Sequence, residues 1–373
     1  MNNIFKVDFE NRILGLDILR AAAIFFVVFA HGNKIILPHA DHRLLNIFRM
    51  DGVALFFVLS GFLIGRILIK IYFKENNLEW KDLWGFWVRR WFRTVPPYFI
   101  MLTILIIMQM SKGLPFDAMY VKFYLFIQNL WYPHPPFFPE AWSLSVEEWF
   151  YLTFPFLLFL GAKLLKFRSR PAFLFTVGCF FLMCIGYRAY ISLDALNQGM
   201  TVRDIYGPGL RKIVIARFDS MMFGVLAAYI YYFHQTYWNR KQDLWFFLGL
   251  MLLFISKLFP WGSYPLFDGV FSFIMTSLGT FFLLPKLNSI KTSPGWFSKF
   301  IILMSISSYS MYLVNLTFRD MVLDMMPHNT PASAYLAYFV FWLITIVVSV
   351  LAYRFIEYPI LRFRDKLYKK QSI

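Results

Sequence analysis

Residues 16–31 read Leu16-Asp17-Ile18-Leu19-Arg20-Ala21-Ala22-Ala23-Ile24-Phe25-Phe26-Val27-Val28-Phe29-Ala30-His31, an apolar run that carries three ionisable side chains. Eleven residues separate Arg20 from His31, close to three helical turns. On a helix the two side chains therefore share a face, roughly 16 Å apart along the axis. Ionisable groups inside a membrane helix are costly and turn toward a protein interior or a watery cavity. Two of them aligned on one face point to a cavity with polar work in it.

The rest of the chain fits a membrane protein. Of its 373 residues 59% are hydrophobic, 46 are Phe, and the mean hydropathy is +0.56. A soluble domain of this size needs more polar surface, and the short alternating segments of a β-barrel are missing. The expected fold is all-α, a polytopic bundle of about ten transmembrane spans. By hydrophobic length they lie near 16–37, 51–73, 94–111, 141–161, 172–191, 213–233, 244–259, 268–285, 301–319 and 335–356, with a half-buried or re-entrant piece around 120–131. Residues 1–373 read as one integral domain with no appended soluble domain. Cys179 and Cys184 lie in an apolar stretch with no disulfide or metal-ligand spacing and read as packing residues.

The net charge of +16 is best explained by loops that gather Lys and Arg on one side. Those loops lie on the side of the N-terminus, which places both chain ends in the cytoplasm. A nucleic-acid partner is excluded, because the basic residues flank membrane segments and no soluble module carries them. In this topology Arg20 lies near the cytoplasmic end of the first span and His31 toward its outer end.

His31 is the candidate general base, since an imidazole accepts and returns a proton near neutrality. Its structural alternative is a histidine satisfied by a neighbouring helix. Arg20 cannot shed its proton and needs an anion or carbonyls. Asp17, one turn earlier, is a local partner, and the alternative role is to hold an anionic ligand. Arg89, Arg90 and Arg93 open the third span. Arg90 and Arg93 share a face, and guanidinium forks suit phosphates, although cytoplasmic anchoring explains them too. Trp91 and its aromatic neighbours can stack an adenine or mark the interface. Glu147 and Glu148 point to different sides of their helix, so one carboxylate faces the interior while the other reaches the headgroup zone. Ser143 or Ser145 is a possible helix cap there. Asp17, Ser60, Ser143, Ser145, Tyr309, Tyr312 and Asn315 are further candidates to line a cavity, with interhelical hydrogen bonding as the plainer role for the serines and tyrosines.

Taken in order, Leu16-Asp17 with Arg20 and His31, Phe56-Phe57-Val58-Leu59-Ser60-Gly61-Phe62, Arg89-Arg90 with Arg93 and Pro96-Pro97-Tyr98, Trp142-Ser143-Leu144-Ser145-Val146-Glu147-Glu148, Ser308-Tyr309-Ser310 with Tyr312-Leu313, and the closing Arg354-Phe355-Ile356-Glu357-Tyr358-Pro359 resemble the membrane-bound acyltransferase-3 family. The resemblance runs along essentially the whole chain. It implies a bacterial inner-membrane enzyme that O-acylates glycans or small molecules. Acyl-CoA, most simply acetyl-CoA, enters as donor from the cytoplasm, and the acceptor hydroxyl arrives from the outer side. It further implies that Arg20 and His31 are the family's arginine–histidine pair, that Arg90 and Arg93 are its paired arginines serving the CoA end, and that Glu147 is its glutamate. Trp149 and Asn315 depart from the pattern, standing where many members have glutamine and histidine, and the acceptor is not specified. The competing reading from the residues alone is a transporter or a glycan or lipid flippase that uses Asp17, Arg20 and His31 as an intramembrane path.

Overall fold

The computed structural model describes residues 12–48, 50–74, 78–164, 166, 168–257, 266–292 and 295–370, and among them every regular element is a helix. In chain order the apolar helices are α1 (Leu14–Ile36), α2 (Gly52–Tyr72), α3 (Trp80–Ser111), α4 (Ala141–Leu164), α5 (Arg170–Asn197), α6 (Phe218–Phe233), α7 (Gln242–Ile255), α8 (Phe267–Ser289), α9 (Trp296–Met325) and α10 (Pro331–Leu367). Helices α6 and α7 are short. The other eight are long and apolar enough to cross a membrane, as befits a multi-pass membrane protein. The stretch expected to be re-entrant holds only a short helix, Met119–Tyr124.

Each expected span has its helix, but the third was drawn too short. Helix α3 begins at Trp80 rather than near residue 94, so the basic run Arg89–Arg93 lies inside it. Its first turns are held by a capping box between Glu79 and Asp82 and by burial of Leu83, Phe86 and Trp87, spaced three and four apart along one face. Pro96 and Pro97 sit mid-helix. They deprive the carbonyls of Phe92 and Arg93 of their usual N–H partners, a break that membrane helices tolerate where neighbours re-satisfy the backbone. The last span also runs further than expected, to Leu367, through a widened π-turn at Tyr353–Glu357. Buried Glu357 in that turn accepts a hydrogen bond from Ser310 of α9.

Contacts group the chain into two units, each assembled from separate stretches. The first contains α1, α9, α10, the start of α7 and the end of α8. Here α1 and α9 run in the same direction, since residues 17 and 20 meet residue 305 while residue 31 meets residue 315. Helix α10 packs on both, with Trp342 stacked on Phe25 at 5.5 Å between ring centres.

The second unit contains most of α2, helices α3 to α6, most of α7 and the first part of α8. Within it α2 and α6 cross closely. A Cβ on Gly61 would stand 2.0 Å from the Met221 carbonyl oxygen, and one on Gly224 would stand 2.1 Å from that of Val58. Small residues allow such backbone approach in membrane bundles. Either Gly61→Val or Gly224→Val is expected to force the helices apart and cost at least about 1–3 kcal/mol, read as a lowered unfolding midpoint in detergent. Midpoints equal to the native one would show that the crossing yields freely. Helix α5 is fastened to α6 by an ion pair, Arg188 Nη2 to Asp219 Oδ2 at 2.6 Å, with both side chains fully buried. On α5, Cys184 is buried as a packing residue, whereas Cys179 is exposed and does not play that part.

Candidate active site

The singled-out residues fall into two polar clusters, one in each unit. The first runs along the α1–α9 contact. Asp17, only 3% exposed, accepts hydrogen bonds from Arg12 at 2.6 and 2.9 Å, from Ser305 Oγ at 2.5 Å and from Arg20 at 3.3 Å. Arg20 also donates to Ser305 Oγ at 3.0 Å. The expected Asp17–Arg20 pair is therefore present, but Arg12 makes the closer, two-pronged contact. Two guanidinium groups thus meet on one carboxylate.

Ten residues further along α9, about 15 Å by helical rise, stands Asn315. Its Oδ1 lies 2.6 Å from His31 Nδ1. Its Nδ2 donates to the carbonyls of Met311 and Tyr312 at 2.9 and 2.7 Å. His31 is half-buried and Asn315 fully buried. Arg20 and His31 thus do share a face of α1, the one turned to α9. Ser307 and Ser308 spend their hydroxyls on backbone carbonyls of α9. Tyr312 is buried and Tyr309 half-buried on the same helix.

The second cluster joins α2, α3 and α4. Tyr151 OH donates to Glu147 Oε2 at 2.7 Å and lies 2.6 Å from Ser60 Oγ. Trp87 Nε1 fixes the Tyr151 backbone at 2.9 Å. Thr94 donates to Glu148 Oε1 at 2.5 Å. Arg93 and Arg90 act electrostatically on Glu147. Arg90 is half-buried with its guanidinium 6.0 Å from the Phe86 ring centre, whereas Arg89 and Arg93 are exposed. Two expectations are corrected here. Neither glutamate reaches outward, because neighbouring hydroxyls on α3 and α4 hold both. Ser143 and Ser145 are not caps, because α4 already begins at Ala141 and both hydroxyls bond backward, to Glu140 O and Ala141 O.

The loop before α4 is tied to the helix by buried amides. Gln128 donates to Ser145 Oγ at 2.6 Å, and Asn129 ties together Trp142 O and Lys212 O at 3.1 and 2.6 Å. Burial against Phe123 pushes His134 down to about 3, so it stays neutral. Burial, with Arg211 adding to it, also lowers Lys212.

Arg12, Ser305, Thr94, Tyr151 and Gln128 were not among the residues expected to matter. Ser305 and Asn315, ten apart on one apolar helix, carried the periodic signal that would have found the first cluster.

A family model described as an acyltransferase domain, acyltransferase-3, matches residues 13–354, a stretch that includes His31, Asn315, Glu147 and the arginine run. The chain belongs to this acyltransferase family. It is 30% identical over 223 residues to a provisionally named peptidoglycan O-acetyltransferase of Bacillus subtilis, YrhL, covering 55% of this chain and 30% of that protein. It is 26% identical over 388 residues to a provisionally named O-acetyltransferase of Staphylococcus aureus strain COL, covering 93% of this chain and 57% of the relative. Over 170 residues it is 32% identical to the peptidoglycan O-acetyltransferase OatA of Listeria monocytogenes, covering 40% of this chain and 25% of that protein. The chain therefore spans little more than half the length of the staphylococcal relative, and less of the other two. No solved structure matches.

Proposed function

We propose that this acyltransferase works in a bacterial cytoplasmic membrane, with both ends of the described chain on the cytoplasmic side, and moves an acyl group, most simply acetyl, from acyl-CoA to a hydroxyl of a cell-envelope glycan. The observation that carries the chemistry is an imidazole held by a buried amide across the α1–α9 contact, at 2.6 Å. His31 takes the proton from the acceptor hydroxyl as its oxygen attacks the thioester carbonyl. The tetrahedral centre then collapses, the C–S bond breaks, and the imidazolium returns its proton to the departing CoA sulfur. The acyl group passes directly from sulfur to oxygen, so no side chain carries it. The names of the relatives make peptidoglycan the first acceptor to try.

Donor phosphates are assigned to Arg90 and Arg93, with Arg89 beside them, since guanidinium forks bind phosphate oxygens in pairs. Trp91, stacked on Trp87 at 6.1 Å, offers a face for the adenine. Glu147, held by Tyr151, is the carboxylate that orients this end. Arg20 stabilises the cavity or holds negative charge on the donor.

The deciding experiment reconstitutes the protein in lipid vesicles with acetyl-CoA and a soluble glycan acceptor. The expected result is free CoA released in step with an acetylated glycan. A carrier would move substrate and leave the thioester whole. The double variant Arg90→Ala/Arg93→Ala is expected to weaken CoA binding by at least about tenfold, as two charge-assisted contacts are lost. Equal affinity in calorimetry would return both arginines to the role of membrane anchors.

A further inference from the structure

We infer that Asn315 is the positioning residue that sets the tautomer of His31, placing the proton on Nδ1 and the reactive lone pair on Nε2. Its catalytic meaning rests on the proposed acyl transfer, while its content rests on geometry alone. A side-chain amide has one donating end and one accepting end. The donating end of Asn315 is decided by its own helix. Two backbone carbonyls, of Met311 and Tyr312, lie 2.9 and 2.7 Å from it, and a carbonyl oxygen only accepts. Turning the amide over would set oxygen against two oxygens in a fully buried place, where unmatched polar groups are most costly. The amide oxygen therefore faces His31, 2.6 Å from Nδ1. That oxygen also only accepts, so Nδ1 must donate. A neutral imidazole carries a single N–H. Nε2 is then the nitrogen with the lone pair, and it is the atom that receives the acceptor proton.

The choice of an amide matters as much as its orientation. A carboxylate at the same place would orient the ring equally well, but would also hold the imidazolium by opposite charge. Asn315 fixes direction without adding charge, so the proton gained in the first half of the reaction is readily surrendered to the leaving sulfur in the second. The anchoring bonds run to the preceding turn of the same helix, so the accepting oxygen is rigid and the ring is aligned before substrate arrives.

The test is nitrogen NMR on the full chain, histidine-labelled with 15N and embedded in lipid. The chain has six histidines, and the His31 signals are those missing from a His31→Gln sample. The native protein is expected to show His31 protonated at Nδ1. Asn315→Leu is expected to move the proton to Nε2 and to lower kcat by about tenfold or more, toward the loss of a general base, with KM for acetyl-CoA unchanged. Asn315→His is expected to restore both readouts, since a neutral imidazole there can donate to the helix carbonyl with one nitrogen and accept from His31 with the other. A native His31 protonated at Nε2 overturns the inference. So does a folded Asn315→Leu protein that loses kcat while its tautomer stays native, because the residue would then act only through packing. If the native tautomer is as inferred but the His31→Gln protein transfers acyl groups at full rate, the tautomer stands and the general-base proposal falls.

Discussion

A His31→Gln chain is expected to fold, enter the membrane and transfer acyl groups about 10²- to 10⁴-fold more slowly than the native chain, the usual worth of a positioned general base. Glutamine is close to histidine in size, and its amide N–H can still donate to Asn315 Oδ1. The α1–α9 contact should therefore survive. What glutamine lacks is a site that takes a proton and gives it back. The loss should fall on kcat, because the hydroxyl is activated only as it attacks. The measurement is acetyl-CoA turnover in vesicles, with thermal unfolding run in parallel to show that stability is kept. Native turnover by a correctly inserted His31→Gln protein would remove the proposed base.

The largest effect on stability is expected at a place remote from this chemistry in sequence. Arg188→Met breaks the Arg188–Asp219 bond and leaves a fully buried carboxylate without the guanidinium that faces it. Removing one partner of a buried ion pair costs about 3–5 kcal/mol. Arg188 also donates to the Ala216 carbonyl, which adds to the loss. The double variant Arg188→Met/Asp219→Leu takes the second charge away and is expected to regain most of the deficit, because well-packed apolar residues replace such pairs at little cost. Unfolding midpoints of the two variants decide it. If the single variant melts with the native protein, the pair contributes nothing, whatever its geometry.

Much of this fold was legible in residue order. Ten apolar stretches became ten apolar helices because length and hydropathy are what a bilayer selects. The start of α3 was missed because Arg89, Arg90 and Arg93 read as loop in a hydropathy window, although Leu83, Phe86 and Trp87 already carried helical spacing. At the site, the eleven-residue interval from Arg20 to His31 foretold a shared face. The partners on that face could not be read locally, since Ser305 and Asn315 lie 285 and 284 residues away from them in the chain. The Arg188–Asp219 pair left a signal that went unused, namely opposite charges within two successive apolar stretches. The roles of Arg90, Arg93 and Glu147 came from family resemblance, because three arginines along one helix look the same whether they grip a phosphate or a headgroup.

The common direction of α1 and α9 imposes a parity rule on everything threaded between them. To come back pointing the same way, the chain must traverse the bilayer an odd number of times after α1 and before α9. The long helices α2, α3, α4, α5 and α8 supply five such passages, already odd. Helices α6 and α7 are therefore bound to one another in topology: both penetrate to the far side or both turn back. A reporter placed in the short link between them, near Gln235–Asn239, sits on the same side of the bilayer as the α2–α3 link only in the first case.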